Sequence, residues 1–328
     1  MNRRSYYGID LFRFIAAFTI IGLHVNYANL LNEVVLFMRM LGRFGVPFFF
    51  MISGFFFEPI SEKLIPQLKK LLNIIFIANF IYFLGFIVDN SLNSLSYINL
   101  IVGVSGHLWF LNSLFVGLIV LSRINKVPLV WLIGIALLFY LIYILVIEYQ
   151  LVGDMPPLQK AIFRNFISIP FLIIGFIIKK KLDLVYSKRI FWFGVIALLG
   201  FFIQFIEIIL FYKRYNISPH NHEFLVGSLI YSIGVFCFAV LWKNGVRQLA
   251  VIGKEHSLFL YLYHPLFIIF LNWLILNYFP LLGESILKMS LILVFVATFL
   301  ISLFFKRYFP PVFNLLNGRF IKLKQIVH

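Results

Sequence analysis

Apolar residues run through this chain in blocks of about 20, the length an α-helix needs to cross roughly 30 Å of hydrocarbon, and short polar breaks separate the blocks. Read between those breaks, they predict spans at 9–30, 36–57, 72–88, 107–122, 128–147, 162–178, 190–211, 223–242, 257–277 and 285–305. The fold class expected is all-α, a polytopic transmembrane helical bundle of about ten spans. The connections left over average roughly a dozen residues. One transmembrane domain over 1–328 is therefore expected, with no soluble domain. No repeat of 20 to 50 residues stands out, nor an inverted pair of broken helices of the carrier type.

Composition sharpens this picture. With 62% hydrophobic and only 12% charged residues in 328, against a usual share near 25% charged, a soluble globular protein is excluded. The formal charge of +16 raises the question of nucleic acid, but its placement answers it. With the N-terminus in the cytoplasm, 20 of the 28 Lys and Arg fall on the inner side, among them Lys69, Lys70, Lys179, Lys180, Lys181 and Lys254. Four fall outside (Lys160, Lys213, Arg214 and Lys288) and four, Arg13, Arg39, Arg43 and Arg164, within or at the edge of spans. This asymmetry predicts both termini cytoplasmic and needs no nucleic-acid partner. The first block follows Arg3 and Arg4, yet Asp10, Arg13 and His24 interrupt it, so it reads as an uncleaved helix, not a signal peptide. The single cysteine, Cys237, excludes an internal disulfide and reads as a small core residue.

Ionisable groups inside hydrocarbon cost several kcal/mol unless they face a partner or a watery cavity, so each is a functional lead. Arg13 and His24 are eleven residues apart, about 1,100° of helix rotation. They share a face to within about 20° and stand roughly 16 Å apart along the axis. Asp10, one turn before Arg13, can pair with it. The alternative for Arg13 is snorkelling to the headgroups. Arg39 and Arg43 lie one turn apart and repel unless an anion joins them; Glu33, Glu207, a lipid phosphate or an anionic substrate are the candidates. Pro47 leaves the carbonyl of Arg43 without its helical donor. Ser53 and Gly54 form a small notch in the run FFFMISGFFF, either for close helix packing or as part of a site.

His107 and Trp109 open the fourth block in HLWFLN, where a Trp also serves as an interfacial anchor. In LYLYHPLF, Pro265 frees the carbonyl of Tyr261 beside His264, an environment for either a titrating imidazole or a structural one. Soluble-enzyme signatures such as GxSxG, HExxH, Walker A, GxGxxG and CxxC are absent. No metal site is expected: His220 and His222 in SPHNHE have surface-loop spacing.

The opening run YYGIDLFRFIAAFTIIGLHV resembles that of the acyltransferase family 3 membrane proteins, whose signature is an Arg, ten residues, then a His on the first helix, here Arg13 and His24. The resemblance continues in RFGVPFFFMISGFFF (43–57), HLWFLNSLFVG (107–117), FRNFISIPFLIIGFII (163–178) and SLFLYLYHPLF (257–267). Many members carry Arg-x-x-Arg at the cytoplasmic start of the third helix, where this chain has Lys69, Lys70 and Asn73. Lysine lacks the bidentate fork of arginine.

The resemblance implies transfer of an acyl group, commonly acetyl, from cytoplasmic acyl-CoA to a hydroxyl of a cell-surface glycan or lipid-linked sugar. The protein would sit in a bacterial plasma (inner) membrane, with acetyl-CoA or another acyl-CoA as donor substrate and no bound cofactor. His24 would be the general base or a transient acyl carrier. Arg13, oriented by Asp10, would hold the donor. Lys69 and Lys70 would attract its phosphates, and Arg43, Ser53, His107, Trp109 and His264 would line the acceptor or thioester path. A competing reading is a small-molecule, amino-acid binding or transport protein related to the membrane half of serine racemases.

Overall fold

The computed structural model describes residues 6–25, 32–88, 91–150, 153, 155–215, 223–243 and 246–319. Among them every regular element is helical. The helices that carry the argument are α1 (Tyr7–His24), α2 (Asn32–Gly42), α3 (Gly45–Phe55), α4 (Ser61–Val88), α5 (Trp109–Ile124) and α6 (Leu129–Tyr143). They are followed by α7 (Pro157–Phe166), α8 (Ser168–Lys180), α9 (Ile190–Tyr215), α10 (Val226–Leu241), α11 (Arg247–Tyr278) and α12 (Ser290–Tyr308). Among the described residues eight helices are long and apolar enough to cross a membrane, counting α2 with α3 and α7 with α8 as continuous stretches. The shorter apolar helices α5 and α10 fall on the fourth and eighth predicted blocks. The bundle is therefore all-α and membrane-embedded.

Several boundaries differ from the hydropathy reading, each for a local reason. Helix α1 ends at His24, where Val25 turns extended at ψ 152°, so the imidazole stands at a helix terminus and not partway along a span. The second block breaks at Arg43 and Phe44 because Pro47 has no N–H for the Arg43 carbonyl. The Arg43 N–H closes a tight turn on the Met40 carbonyl at 3.3 Å, and α3 resumes with Phe48 N–H to Phe44 at 2.8 Å. Helices α4 and α11 begin at Ser61 and Arg247, well before 72 and 257. A hydropathy reading stops at the first cluster of charges, whereas the backbone ladder does not. Lys69, Lys70 and Lys254 consequently stand on helices and not in loops.

Close approach of helices fixes the site's walls. Helix α1 lies along α11, α9 along α10, and α3 along α8. A Cβ on Gly253 would meet the Asp10 carbonyl of α1, and Cβ atoms on Gly54 and Gly175 would meet the backbones of Leu172 and Met51 reciprocally across α3 and α8. Between helices in lipid, such small residues let dispersion and backbone contact replace the hydrophobic drive. Gly54 is thus a packing residue, which is one of the two readings of the FFFMISGFFF notch. The interior is aromatic, with Phe48, Phe50, Phe171, Phe224 and Phe236 fully buried. Large apolar side chains such as Phe76, Trp131 and Leu276 are turned outward.

A candidate active site of two cavities

Two polar cavities meet inside this bundle. The larger, about 520 Å³, is lined by His24 at the end of α1 and Arg39 and Arg43 around the α2–α3 break. His107, Arg164 and Glu223 face it from the other elements. His24 is exposed to it. Behind His24 stands His264, fully buried, with its ring centroid 5.2 Å from that of His24 and 5.7 Å from that of His107. His264 does not itself form part of the cavity wall.

The bonding of the two inner histidines assigns their protons. Pro265 cannot donate to the Tyr261 carbonyl, and His264 Nδ1 takes that place, 2.9 Å from Tyr261 O and 3.0 Å from Leu260 O. A carbonyl only accepts, so Nδ1 carries the hydrogen. His264 Nε2 is buried with no hydrogen-bond partner. His107 has the opposite tautomer: its Nε2 donates to Leu262 O at 3.0 Å and its Nδ1 accepts from the Ser105 hydroxyl at 3.1 Å. Nε2 of His107 thereby ties residues 105–107 to α11, and Nδ1 closes the turn on Ser105. The Tyr261 hydroxyl adds a bond to the His107 carbonyl at 2.6 Å, and Tyr82 donates to Leu262 O at 2.8 Å.

The far wall is an ion pair laid on an indole. Arg164 Nη2 reaches both carboxylate oxygens of Glu223 at 2.5 and 2.7 Å, and its guanidinium carbon lies 4.4 Å from the Trp109 ring centre. Trp109 is buried beneath it. Glu148, in a π-helical turn over Ile144–Glu148, accepts the backbone N–H groups of Glu223 and Phe224 at 2.8 to 3.1 Å. That anchors the segment bearing Glu223.

The second cavity, about 280 Å³, is lined by Arg13, Ser53, Lys70 and Lys254. Arg13 Nη1 donates to Asp10 Oδ1 at 2.8 Å, the pair expected from their spacing. Ser53 donates to the Phe49 carbonyl at 3.0 Å. Lys69 is exposed and lines neither cavity, since neighbouring helical residues point about 100° apart. Lys179 donates to the Tyr6 hydroxyl and Lys180 to the Asn125 carbonyl, each at 3.0 Å. Tyr261 belongs to both cavities, with Phe110 at 5.0 Å and Phe49 at 6.3 Å between ring centroids. An aromatic partition thus separates a His24 side from an Arg13 side.

Of the residues expected from sequence, the structure brings His24, Arg43, His107 and Trp109 to one cavity and Arg13, Ser53 and Lys70 to the other. Glu223, Glu148, Lys254 and the spanning role of Tyr261 were not among them. Arg164 and Glu223 are 59 residues apart, and no sequence spacing marks such a pair. Of the anions considered for Arg39 and Arg43, Glu207 accepts Tyr149 Oη at 3.0 Å and the N–H groups of Val226 and Gly227 at 3.2 and 2.7 Å. The side chain of Glu33, together with His220 and His222, lies outside the described residues. Among the described residues no group of three or more His, Cys, Asp or Glu is placed to hold a metal ion.

The fold and the paired cavities define a polytopic membrane protein with two cavities in its interior. Residues 6–313 match the acyltransferase domain of acyltransferase family 3, and the chain belongs to that family. It is similar to an amino-acid racemase of Enterococcus faecalis, 34% identical over 128 residues, covering 35% of this chain and 18% of the relative. It is also similar to a serine/alanine racemase of Enterococcus gallinarum, 25% identical over 290 residues, or 79% of this chain and 40% of that protein. The chain thus spans less than half the length of these curated relatives. No solved structure matches it.

Proposed function

We propose that this protein is a membrane O-acyltransferase that moves an acyl group, acetyl in the simplest case, from cytoplasmic acyl-CoA to a hydroxyl of a surface glycan or lipid-linked sugar. The observation that carries the reading is the pair of cavities sharing Tyr261, one holding His24 and the other Arg13, Lys70 and Lys254. Family membership supports the reaction class. The charge asymmetry of the loops supports both termini in a bacterial cytoplasm, which turns the Arg13 cavity inward and the His24 cavity outward.

In this mechanism Arg13, Lys70 and Lys254 attract the phosphates of the donor, and Asp10 holds the Arg13 guanidinium in place. The thioester reaches the partition at Tyr261. The acceptor hydroxyl attacks the thioester carbonyl carbon, forming the C–O bond of the ester while the C–S bond breaks. Neutral His24 takes the hydroxyl proton, and the departing CoA thiolate leaves on the donor side, where water protonates it. His264, unable to reach the cavity, supports His24 from behind. His107 shapes the wall through its two bonds, and Trp109 carries Arg164.

Release of CoA thiol by purified protein with acetyl-CoA, with and without a crude fraction of surface glycan or lipid-linked sugar, tests this. Acceptor-stimulated release that vanishes in His24→Ala is expected. A folded protein that binds no acetyl-CoA and releases no thiol would shift the reading to amino-acid binding, the relatives being named as amino-acid and serine/alanine racemases.

A further inference from the structure

After α12 the chain folds back towards the Arg13 cavity. A short helix, α13 (Pro310–Leu316), starts on a proline whose missing N–H costs nothing in a first turn, and it packs against α12 and α4. Phe313 is buried, with its ring centroid 6.2 Å from that of Phe259 and 5.7 Å from that of His256 on α11. Tyr263 of α11 donates its hydroxyl to the Leu316 carbonyl at 2.9 Å. The helix then closes in a left-handed cap: Gly318, at φ 70°, donates to the Leu315 carbonyl at 2.8 Å, and the Arg319 N–H reaches back to the Asn314 carbonyl at 2.7 Å. A Cβ on Gly318 would lie 2.8 Å from the Lys70 carbonyl. The cap is thus seated on α4 at a residue that lines the cavity, and its bonds fix the backbone of Arg319 there.

Arg319 is exposed and stands outside the cavity lining, whereas Arg13, Lys70 and Lys254 belong to it. The charges that bear on Lys70 are those of Arg319 and Arg13, both positive. The nearby carboxylates are engaged, Asp10 with Arg13 and Glu255 with Lys306. Cations therefore run from the cavity to the surface beside it, a path matched to a ligand with phosphates spaced along its length. Coenzyme A is built that way. Its thioester end is uncharged, the diphosphate follows, and the 3′-phosphate sits beyond it on the ribose. With the thioester inside, the ribose is the part left outside the lining, and a guanidinium fork matches a terminal phosphate. We infer that Arg319 holds the 3′-phosphate of the donor, which makes the cap after α13 part of the donor site. The identity of the donor rests on the acyltransferase reading above; the position of Arg319 rests on the cap.

Isothermal titration of the detergent-purified full chain at low ionic strength, with coenzyme A and 3′-dephospho-coenzyme A as probes, tests the inference, since the two differ in that phosphate alone. Coenzyme A is expected to bind about three- to tenfold more tightly. Arg319→Gln should erase that margin and leave 3′-dephospho-coenzyme A binding as before. Arg319→Lys should keep part of the margin, and Lys188→Gln, an exposed charge elsewhere, all of it. Equal binding of the two probes by the parent protein, or an undiminished margin in an Arg319→Gln protein with a native size-exclusion profile, overturns the inference. So does an equal loss for both probes, which would make Arg319 a source of general field only. A bilayer phosphate presents the same chemistry, so the titration is repeated in nanodiscs with and without phosphatidylglycerol. Arg319-dependent retention of phosphatidylglycerol that coenzyme A does not displace would assign the arginine to a headgroup and overturn it as well. An Arg319-dependent margin without thiol release from acetyl-CoA would support the phosphate site and sink the acyl-transfer reading, while thiol release with the same KM for acetyl-CoA and its 3′-dephospho form would do the reverse.

Discussion

His24 and His264, 240 positions apart in the chain, face each other with ring centroids 5.2 Å apart and planes tilted by 39°. Because His264 Nδ1 is fixed on two carbonyls, the lone pair of its Nε2 is the atom able to accept a proton from its neighbour. His24→Ala is expected to lower acceptor-dependent thiol release by about 10²- to 10⁴-fold, the usual worth of a general base, while the protein still inserts; full activity would remove His24 from the mechanism. His264→Ala should lower kcat and alter the pH profile of kcat/KM while leaving donor KM unchanged, with His264→Gln recovering part of kcat. A lower melting temperature with an unaltered profile would make His264 purely structural.

Arg13 tests the donor side. Arg13→Lys keeps the charge but loses the fork that grips Asp10 and a phosphate together. A donor KM raised about tenfold at unchanged kcat is expected from acetyl-CoA titrations. An identical titration curve would make Arg13 a structural partner of Asp10 only.

Tyr261 tests the partition. Tyr261→Ala removes the ring shared by both cavities and should raise thiol release in the absence of acceptor, as water gains access to the thioester. Tyr261→Phe keeps the ring and loses one hydrogen bond to the His107 carbonyl, about 1 kcal/mol of stability, with little added leakage. Equal acceptor-free rates in Tyr261→Ala and the parent protein would show that the ring separates nothing.

Gly253 tests the seating of α1 on α11. A Cβ there collides with the Asp10 carbonyl, and Gly253→Val should cost about 1–3 kcal/mol, as overpacking does elsewhere. Thermal unfolding in detergent measures it. Because the clash lies at Asp10, donor KM should rise along with the loss of stability; an unchanged melting point would contradict the close approach.

The spans were legible in the sequence because burial in lipid leaves a one-dimensional trace: a helix must be apolar for its length. The pairing of Arg13 with Asp10 was legible because 3.6-residue periodicity is local, and so was the missing helical donor to the Arg43 carbonyl at Pro47. Helical starts at Ser61 and Arg247 were not, because charged first turns look like loops to a hydropathy reading. Neither was the wall built by Arg164, Trp109 and Glu223, whose members lie on three separate segments and meet only in the folded bundle. His264 was visible as an unusual histidine beside a proline. That it stands behind His24 follows from the contact of α1 with α11, which no local pattern encodes.

The shared Tyr261 wall also bears on how the barrier stays sealed. A carrier must open to each side in turn and risks letting ions slip through at every cycle. Here two cavities touch at one ring, so in the proposed reaction a few atoms would change owners through the wall while donor and acceptor each kept to its own cavity. In the proposed reaction only the acyl group would cross the bilayer, and the group potential of the thioester would drive the transfer without any rocking of the bundle.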